Sequence, residues 1–257
     1  MTRPFVSVLI NNYNYGRFLR EAIDSALAQS YSPMEVILVD DGSTDNSRAI
    51  AASYDSRLTP ILKPNRGQAS ASNVGVAASR GEILCVLDSD DYFYPQKVER
   101  IVETFSRLDS SQPIMVHHSL RTYQPDGTGE ERQSFGRTRA TPLNLAEYAR
   151  KYRFMYYAAG VTSGIALNRR MADRLFPLPE KSVRLSADEL AVRGASLVGE
   201  LYCHAEHLGV YRVHGANQRF SSARRMSTEY VEALDADLNQ ELTENNLTGK
   251  ISYEESM

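Results

Sequence analysis

Apolar and polar positions follow two rhythms along the first ~95 residues. Short apolar runs at residues 5–10 (FVSVLI), 35–39 (EVILV), 58–62 and 83–87 (ILCVL) have the length and β-branched content of buried strands. Stretches of helical period separate them. Phe18, Leu19, Ala22, Ile23, Ala26 and Leu27 fall on one helix face. Ser43 or Thr44 is placed to cap a second helix that runs to about Ser53. A small-residue helix is predicted over 68–79, with Gly81 as its C-cap. This alternation predicts an α/β fold, a Rossmann-like, mostly parallel sheet flanked by helices. Ligands of such sheets bind beyond the carboxyl ends of the strands. Polar clusters stand at that edge: NNYNYG after the first strand, DDGS after the second and DSDD after the fourth.

The second half is less regular. Pro95 at a first helical position, followed by Val98, Ile101, Val102, Phe105 and Leu108, predicts a helix. Strands are expected at 114–119 and 120–123, around a turn at Pro125-Asp126-Gly127. Residues 130–141, with Arg132, Arg137 and Arg139 and with Arg121 nearby, read as a mobile loop. Helices are expected at 143–151, 170–176 and 187–198, a strand at 163–167, and two short strands within 199–213. A final amphipathic helix over 224–245 carries Tyr230, Leu234, Leu238 and Leu242 on its apolar side. That face leaves two partners open, the protein's own core or a second copy in a homodimer.

Composition narrows the class only a little. The chain has 257 residues, 42% of them apolar and 24% charged, enough for one large domain or two small ones. A formal net charge of -3 supplies no basic field toward nucleic acid, which is not expected as a partner. Cys85 and Cys203 sit far apart in apolar runs and read as two reduced, buried thiols, which suits a cytoplasmic protein. The N-terminus lacks a signal-peptide layout, and no window of ~18 consecutive apolar residues could span a membrane.

The chemistry concentrates where the fourth strand ends. Val86-Leu87 leads directly into Asp88-Ser89-Asp90-Asp91, three carboxylates within four residues. Such groups repel one another unless donors or a cation neutralise them. A hard divalent metal clamped to a phosphate would do so. An acidic turn that opens the next helix is the alternative, and these residues alone do not choose between the two.

Six segments together resemble the family 2 glycosyltransferases, enzymes of the GT-A fold. They are VSVLINNYN, VILVDDGSTDNS, NRGQASASNVGVAASRGE, VLDSDD, SADELAVRGASLVG and YRVHGANQ, in that order. The match is close over residues 6–95 and looser to about Asn217. It implies a GT-A domain over 1–220, with a nucleotide-sugar-binding half over about 1–95 and an acceptor-side half over about 96–220. A C-terminal helical extension over 221–257 would follow. It implies inverting transfer of a sugar from a nucleoside-diphosphate sugar to a glycan, lipid-linked or protein acceptor, with Mg²⁺ or Mn²⁺ as cofactor. Surface glycan or polysaccharide assembly is the expected setting, in the cytoplasm or peripherally at the inner face of the membrane.

The same resemblance assigns residues. Asn11 and Tyr13 would flank the base, and Asp41 would accept a hydrogen bond from it. Asp40 has a turn or capping role instead. Asn65 and Gly67 open the third helix toward the diphosphate. Asp88 would bind the ribose beside Ser89, Asp90 the metal, and His214 the metal or diphosphate. Asp91 would stand behind them. Asp188 would be the general base, with Glu189 as the alternative. Ser72 stands where the family often has Arg, which leaves Arg66 as the nearest substitute. Two other functions compete. A sugar-nucleotide nucleotidyltransferase would carry a Gly-rich basic loop where this chain has Asn11-Asn12-Tyr13-Asn14. A non-catalytic nucleotide-sugar binding module would bind without turnover. No GxGxxG follows the first strand, against a dinucleotide-dependent oxidoreductase.

Overall fold

The computed structural model describes residues 3–123, 132–134, 162–180, 187–215 and 217. The first half has the expected alternation. Strand β1 (Val6–Asn12) is followed by α1 (Gly16–Leu27), β2 (Met34–Asp40), α2 (Ser47–Ala52), β3 (Thr59–Leu62), α3 (Gln68–Ala78) and β4 (Ile83–Asp88). The rest adds β5 (Tyr92–Phe93), α4 (Lys97–Phe105), β6 (Ile114–Tyr123), β7 (Arg132–Ser134), β8 (Ile165–Asn168), α5 (Arg169–Leu175), α6 (Ala187–Val198) and β9 (Glu200–Arg212). All the strands join one sheet in the order β3-β2-β1-β4-β8-β6-β9-β5, with β7 beside β6. Strands β3, β2, β1 and β4 are parallel. Beyond β4 the pairing is mixed, because β8 runs antiparallel to both its neighbours while β6 and β9 are parallel.

The period-two alternation of the strands feeds two apolar layers. Val6, Val8 and Ile10 of β1 pack with α1, α2 and α4, through Leu19, Ile23, Ile50, Val98 and Ile101. Leu9 faces the opposite layer, with Ala69 and Val76 of α3, Met171 and Leu175 of α5, and Leu190 of α6. The sheet is therefore covered on both faces, as a parallel sheet requires. Register aligns the carboxyl ends of β1, β2 and β4: Asn11 lies opposite Val39 on one side and Asp88 on the other. This alignment brings the polar clusters to one edge.

Several boundaries differ from expectation, each for a local reason. Helix α2 begins at Ser47, with Asn46 before it and neither Ser43 nor Thr44 as cap. The Ser43 hydroxyl is occupied across the loop, where it accepts from Asn14 N at 2.9 Å and Asn12 Nδ2 at 3.1 Å. Gly81 does not close α3, which ends at Ala78 with Ser79 extended. Gly81 is needed for close packing instead, since a Cβ there would lie 2.5 Å from Ser7 N. Pro95 precedes α4 by two residues, and its carbonyl accepts from Ser30 N at 2.8 Å.

Residues 114–123 form one strand, not two, and so do residues 200–212. The irregularity of β9 is a bulge: His118 pairs with His204, but Ser119 pairs with His207. The expected strand at 163 opens with a 3₁₀ turn, Thr162–Gly164. Arg132, expected in a loop, belongs to β7. The turn at 125–127, the remainder of the arginine-bearing segment, the helix at 143–151 and the C-terminal helix at 224–245 lie outside the described residues. Among the described residues no helix is long and apolar enough to cross a membrane.

Both cysteines are buried and form no disulfide. Cys203 Sγ lies 2.6 Å from Nε2 of His117, a β6 residue within the core. Burial pulls the His117 imidazole down to about 4 from the ordinary 6.5. Between those values the unfolded chain binds more protons than the folded one, so stability falls as pH drops from 6.5 toward 4. The full displacement is worth about 3 kcal/mol. His117→Leu removes this titration. The unfolding free energy of the wild type, relative to the variant, should fall by about 2–3 kcal/mol between about pH 7.5 and about pH 4.5. Urea titrations of both proteins at the two pH values read the difference directly.

Candidate active site

The site is built where β1, β2 and β4 end. Asn11 is buried on β1 and donates from Nδ2 to Ser72 Oγ on α3 at 3.0 Å. Its Oδ1 is buried without a protein partner. Tyr13 follows β1 and is 47% exposed, a large ring face offered to solvent at this edge. Asp40 holds the next loop. Its carboxylate accepts from Ser43 N at 3.0 Å, Asn12 Nδ2 at 2.9 Å and Arg48 Nε at 3.2 Å. This is the turn role expected of it.

Asp41, one residue on, is buried and gathers the loop before α3. It accepts from Gly67 N at 2.7 Å, from Arg66 N at 3.0 Å and from the Lys63 ammonium. Gly67 has φ +98°, open to glycine and strained for other residues. Gly42 has φ +82°, and a Cβ there would lie 2.6 Å from Asn65 N. Two glycines thus let the 41–42 and 65–67 loops close on each other. Asp41, Asn65 and Gly67 form one subsite as a result.

The acidic cluster sits at the end of β4. Oxygens of Asp88, Asp90 and Asp91 all lie within 4.8 Å of one another. Burial, then the Asp90 charge, then the Asp188 charge raise the Asp88 carboxyl well above the usual carboxylate range. Burial and the charges of Asp90 and Asp88 do the same to Asp91. Both oxygens of Asp91 are engaged: Oδ2 accepts from Ser163 Oγ at 2.6 Å and Oδ1 from Arg212 N at 2.9 Å. Ser163 Oγ also accepts from Asp88 N at 3.0 Å. Asp91 therefore ties the end of β4 to the 3₁₀ turn and to the end of β9. Ser89 is buried, and its Oγ has no protein partner.

His214 lies two residues beyond β9, with Nε2 3.0 Å from Asp90 Oδ2. Its Nδ1 faces Arg17 Nη2 at 3.1 Å. Phe18 and Tyr15 flank the ring, with centroids at 4.6 and 5.4 Å. Burial and the Asp90 charge push the Tyr15 phenol up to about 12. Asn217 donates to Arg212 O at 2.8 Å and accepts from His214 N, which fixes the chain after β9. The donor set, carboxylate oxygens with one imidazole, fits a hard or borderline divalent cation such as Mg²⁺ or Mn²⁺. The crowded buried negative charge fits it as well.

Asp188 is the second residue of α6, half-buried, and close enough for its charge to act on Asp88. Gln68 joins the two regions. Its Oε1 accepts from Ala187 N at 3.1 Å, while its Nε2 points at Asp88 Oδ1 and Thr162 Oγ1, each at 3.4 Å. The structure thus brings Asp88, Asp90, His214 and Asp188 around one center, with Asn11 next to Asp88 in register. Asp41, Asn65 and Gly67 form the neighbouring subsite, and Tyr13 borders the same edge.

Gln68, Ser163, Arg17 and Asn217 are not apparent from sequence. Gln68 and Asn217 lie inside two of the resembling segments, which is the signal that could have found them. Ser163 sits in an aperiodic stretch and carries no such signal.

Comparisons with known proteins bear on the family and the fold. The model of Glycosyl transferase family 2 matches residues 7–176. An uncharacterized glycosyltransferase of Nostoc sp. is 35% identical over 228 residues, covering 87% of this chain and 69% of its own length. Against a chondroitin synthase of Pasteurella multocida the identity is 34% over 156 residues, 58% of this chain and 16% of that protein. The match with a Rickettsia typhi relative, 39% identical over 132 residues, covers 48% of this chain and 42% of that protein. Among solved structures, S. aureus TarS 1-349 in complex with UDP-GlcNAc superposes with a TM-score of 0.65 at 18% identity, over 92% of this chain and 66% of that one. A mannosyltransferase of Pyrobaculum calidifontis in complex with GDP-Man and Mn²⁺ gives 0.58 at 18%, over 98% and 66%. These two share the fold, the GT-A fold that the sequence resemblance implies. By the match of the family model over most of its length and by the Nostoc relative, the chain belongs to glycosyl transferase family 2.

Proposed function

We propose that the chain is an inverting, divalent-metal-dependent glycosyltransferase. It would move a sugar from a nucleoside-diphosphate sugar to an acceptor hydroxyl in surface glycan or polysaccharide assembly. The observation that carries this reading is the Asp88–Asp90–Asp91 cluster at the carboxyl end of β4, Asp88 half-buried and the other two buried, with His214 on Asp90 and Asp188 within electrostatic reach. The two solved neighbours, named for complexes with UDP-GlcNAc and with GDP-Man and Mn²⁺, support a nucleotide-sugar donor. The chondroitin synthase relative supports the polysaccharide setting.

In this reading Asp41 accepts from the base, Asn11 uses its unpartnered carbonyl oxygen nearby, and Tyr13 offers a stacking face. Asn65 and Gly67 let backbone approach the diphosphate. Asp88 and Ser89 hold the ribose. Asp90 and His214 hold the metal, which when bound supplies positive charge to the leaving diphosphate. Asp91 keeps Asp90 in position through Ser163 and Arg212. Asp188 accepts the acceptor hydroxyl's proton on a carboxylate oxygen as that oxygen attacks the anomeric carbon. A single displacement from the face opposite the diphosphate inverts the carbon. Ser72 supplies no cation to the diphosphate, so the nearby positive side chains are Lys63 and Arg66. Lys63 is already paired with Asp41.

Incubation with UDP- and GDP-sugars and Mn²⁺ tests the reaction class. Free nucleoside diphosphate supports glycosyl transfer, pyrophosphate would indicate a nucleotidyltransferase, and binding without either product a non-catalytic module. Asp90→Asn should lose Mn²⁺-dependent donor binding, read by calorimetry. Asp188→Asn should keep donor binding and lose ~10²–10⁴-fold in turnover, with Glu189→Gln as the control. If turnover survives in Asp188→Asn and falls in Glu189→Gln, the neighbouring carboxylate is the base.

A second expectation concerns stability. Asp88 pays no penalty for burial once its charge is removed, so Asp88→Asn should melt a few degrees above wild type in EDTA while losing activity. Differential scanning calorimetry near neutral pH reads this. A lower melting temperature would show that the Asp88 carboxylate is stabilised by its surroundings.

A further inference from the structure

Two amide side chains on α3 hold the chain that delivers Asp188. Asn73 bonds the Leu178 backbone in both directions, accepting from its N–H at 2.7 Å and donating to its carbonyl at 2.9 Å. Gln68, the first residue of α3, accepts from Ala187 N at 3.1 Å. Ala187 opens α6, and Asp188 is the next residue. The N–H groups at a helix start have no acceptor within their own helix. Gln68 Oε1 supplies one from another element.

The Ala187 N–H only donates, so it selects the oxygen of the Gln68 amide. The amide nitrogen then faces Asp88 Oδ1 and Thr162 Oγ1, each 3.4 Å away. Contacts of that length are at the outer limit of a hydrogen bond, whereas the Ala187 contact is an ordinary one. Gln68 therefore stands between Asp88 and α6 and holds α6 the more firmly. The body of α6 is secured in another way. Leu190 and Ala191 share an apolar layer with Ala69 and Val76 of α3. Apolar packing is non-directional. The first turn, where half-buried Asp188 sits, takes its placement from a directional bond.

We infer that Gln68 is a positioning residue for Asp188. By holding the Ala187 N–H it sets the distance and direction at which the Asp188 carboxylate meets the acceptor hydroxyl. This rests on the reading of Asp188 as the general base. Gln68 itself touches no reacting atom and acts only through the start of α6. Its loss lets that start shift, while Asn73 and the apolar layer keep the rest of the segment in place. A misplacement of about 1 Å in a reacting group can cost as much as ~10²-fold in rate. The donor site does not depend on Gln68, because the contact with Asp88 is long and shared with Thr162.

Gln68→Met in the full chain keeps the length of the side chain and removes both polar atoms. Amide hydrogen exchange should rise at Ala187 and stay as in wild type from Leu190 onward. Unchanged exchange at Ala187 overturns the inference. Turnover at saturating donor is read with Mn²⁺ as nucleoside diphosphate released, from whichever of the UDP- and GDP-sugars the wild type uses. It should fall about tenfold, less than a full displacement costs, while donor affinity by calorimetry is unchanged. In the Asp188→Asn background the same substitution should cost nothing further, since a residue that acts through Asp188 has nothing left to position. A loss of donor affinity, or a second loss of turnover in that background, means a general loosening of the site and overturns the inference. Ala187→Pro repeats the test from the other partner, because it deletes the N–H at a first helical position, where proline is tolerated. Its loss should match that of Gln68→Met and not add to it; additive losses overturn the inference. If Asp188→Asn alone retains turnover, the base reading falls and takes this inference with it, a result seen without any change at Gln68.

Discussion

The fold is organised around one electrostatic problem, three carboxylates crowded at the end of a central strand, two of them buried and one half-buried. Like charges at that distance in a poorly solvated site raise each other's proton affinity. The protein offsets part of this with neutral donors brought from far along the chain. Ser163 comes from the turn before β8, the Arg212 backbone from the end of β9, and Gln68 from the start of α3. Only part of the repulsion is relieved, since Asp88 and Asp91 remain well above the usual carboxylate range. A site in that condition is preorganised for a cation, because the cost of gathering the charges has been met by folding.

The parallel half of the sheet was legible because its signals are local. Each strand is a short apolar run and each helix an apolar stripe, and the alternation alone places Asn11, Asp41 and Asp88 at one edge. Boundaries were less legible wherever a loop residue serves a partner far away in sequence. Ser43 looked like a cap for α2, but its hydroxyl is taken by the loop after β1. Gly81 looked like a helix stop, but its missing side chain admits β1. In β9 the bulge hides a single long strand behind a break in the pattern.

The site divides the same way. Asp88 and Asp90 stand out because carboxylates crowded at a strand end suggest chemistry by type and place, while Asp41, Asp188 and His214 are reached through the family resemblance. Ser163, Gln68 and Asn217 do not, because serine and amides are common everywhere and their meaning lies in what they touch. Asp91 shows the limit most clearly. Residue type groups it with its acidic neighbours and only the resemblance sets it behind them, and the structure shows both its oxygens spoken for by a hydroxyl and a backbone amide. Its neighbours could turn toward a ligand, and Asp91 turns inward.

Those two bonds of Asp91 span 72 and 121 positions of the chain, and the His214 contact with Asp90 spans 124. Contacts of such separation close long loops, which is entropically unfavourable until other structure supports it. The acidic turn is enclosed only where β9 lies beside β6. A chain stopped short of Arg212 would hold its parallel strands yet lack the amide and imidazole that meet the cluster. The cluster is thus complete only once β9 lies beside β6, so an intact site reports that the far half of the sheet is in place.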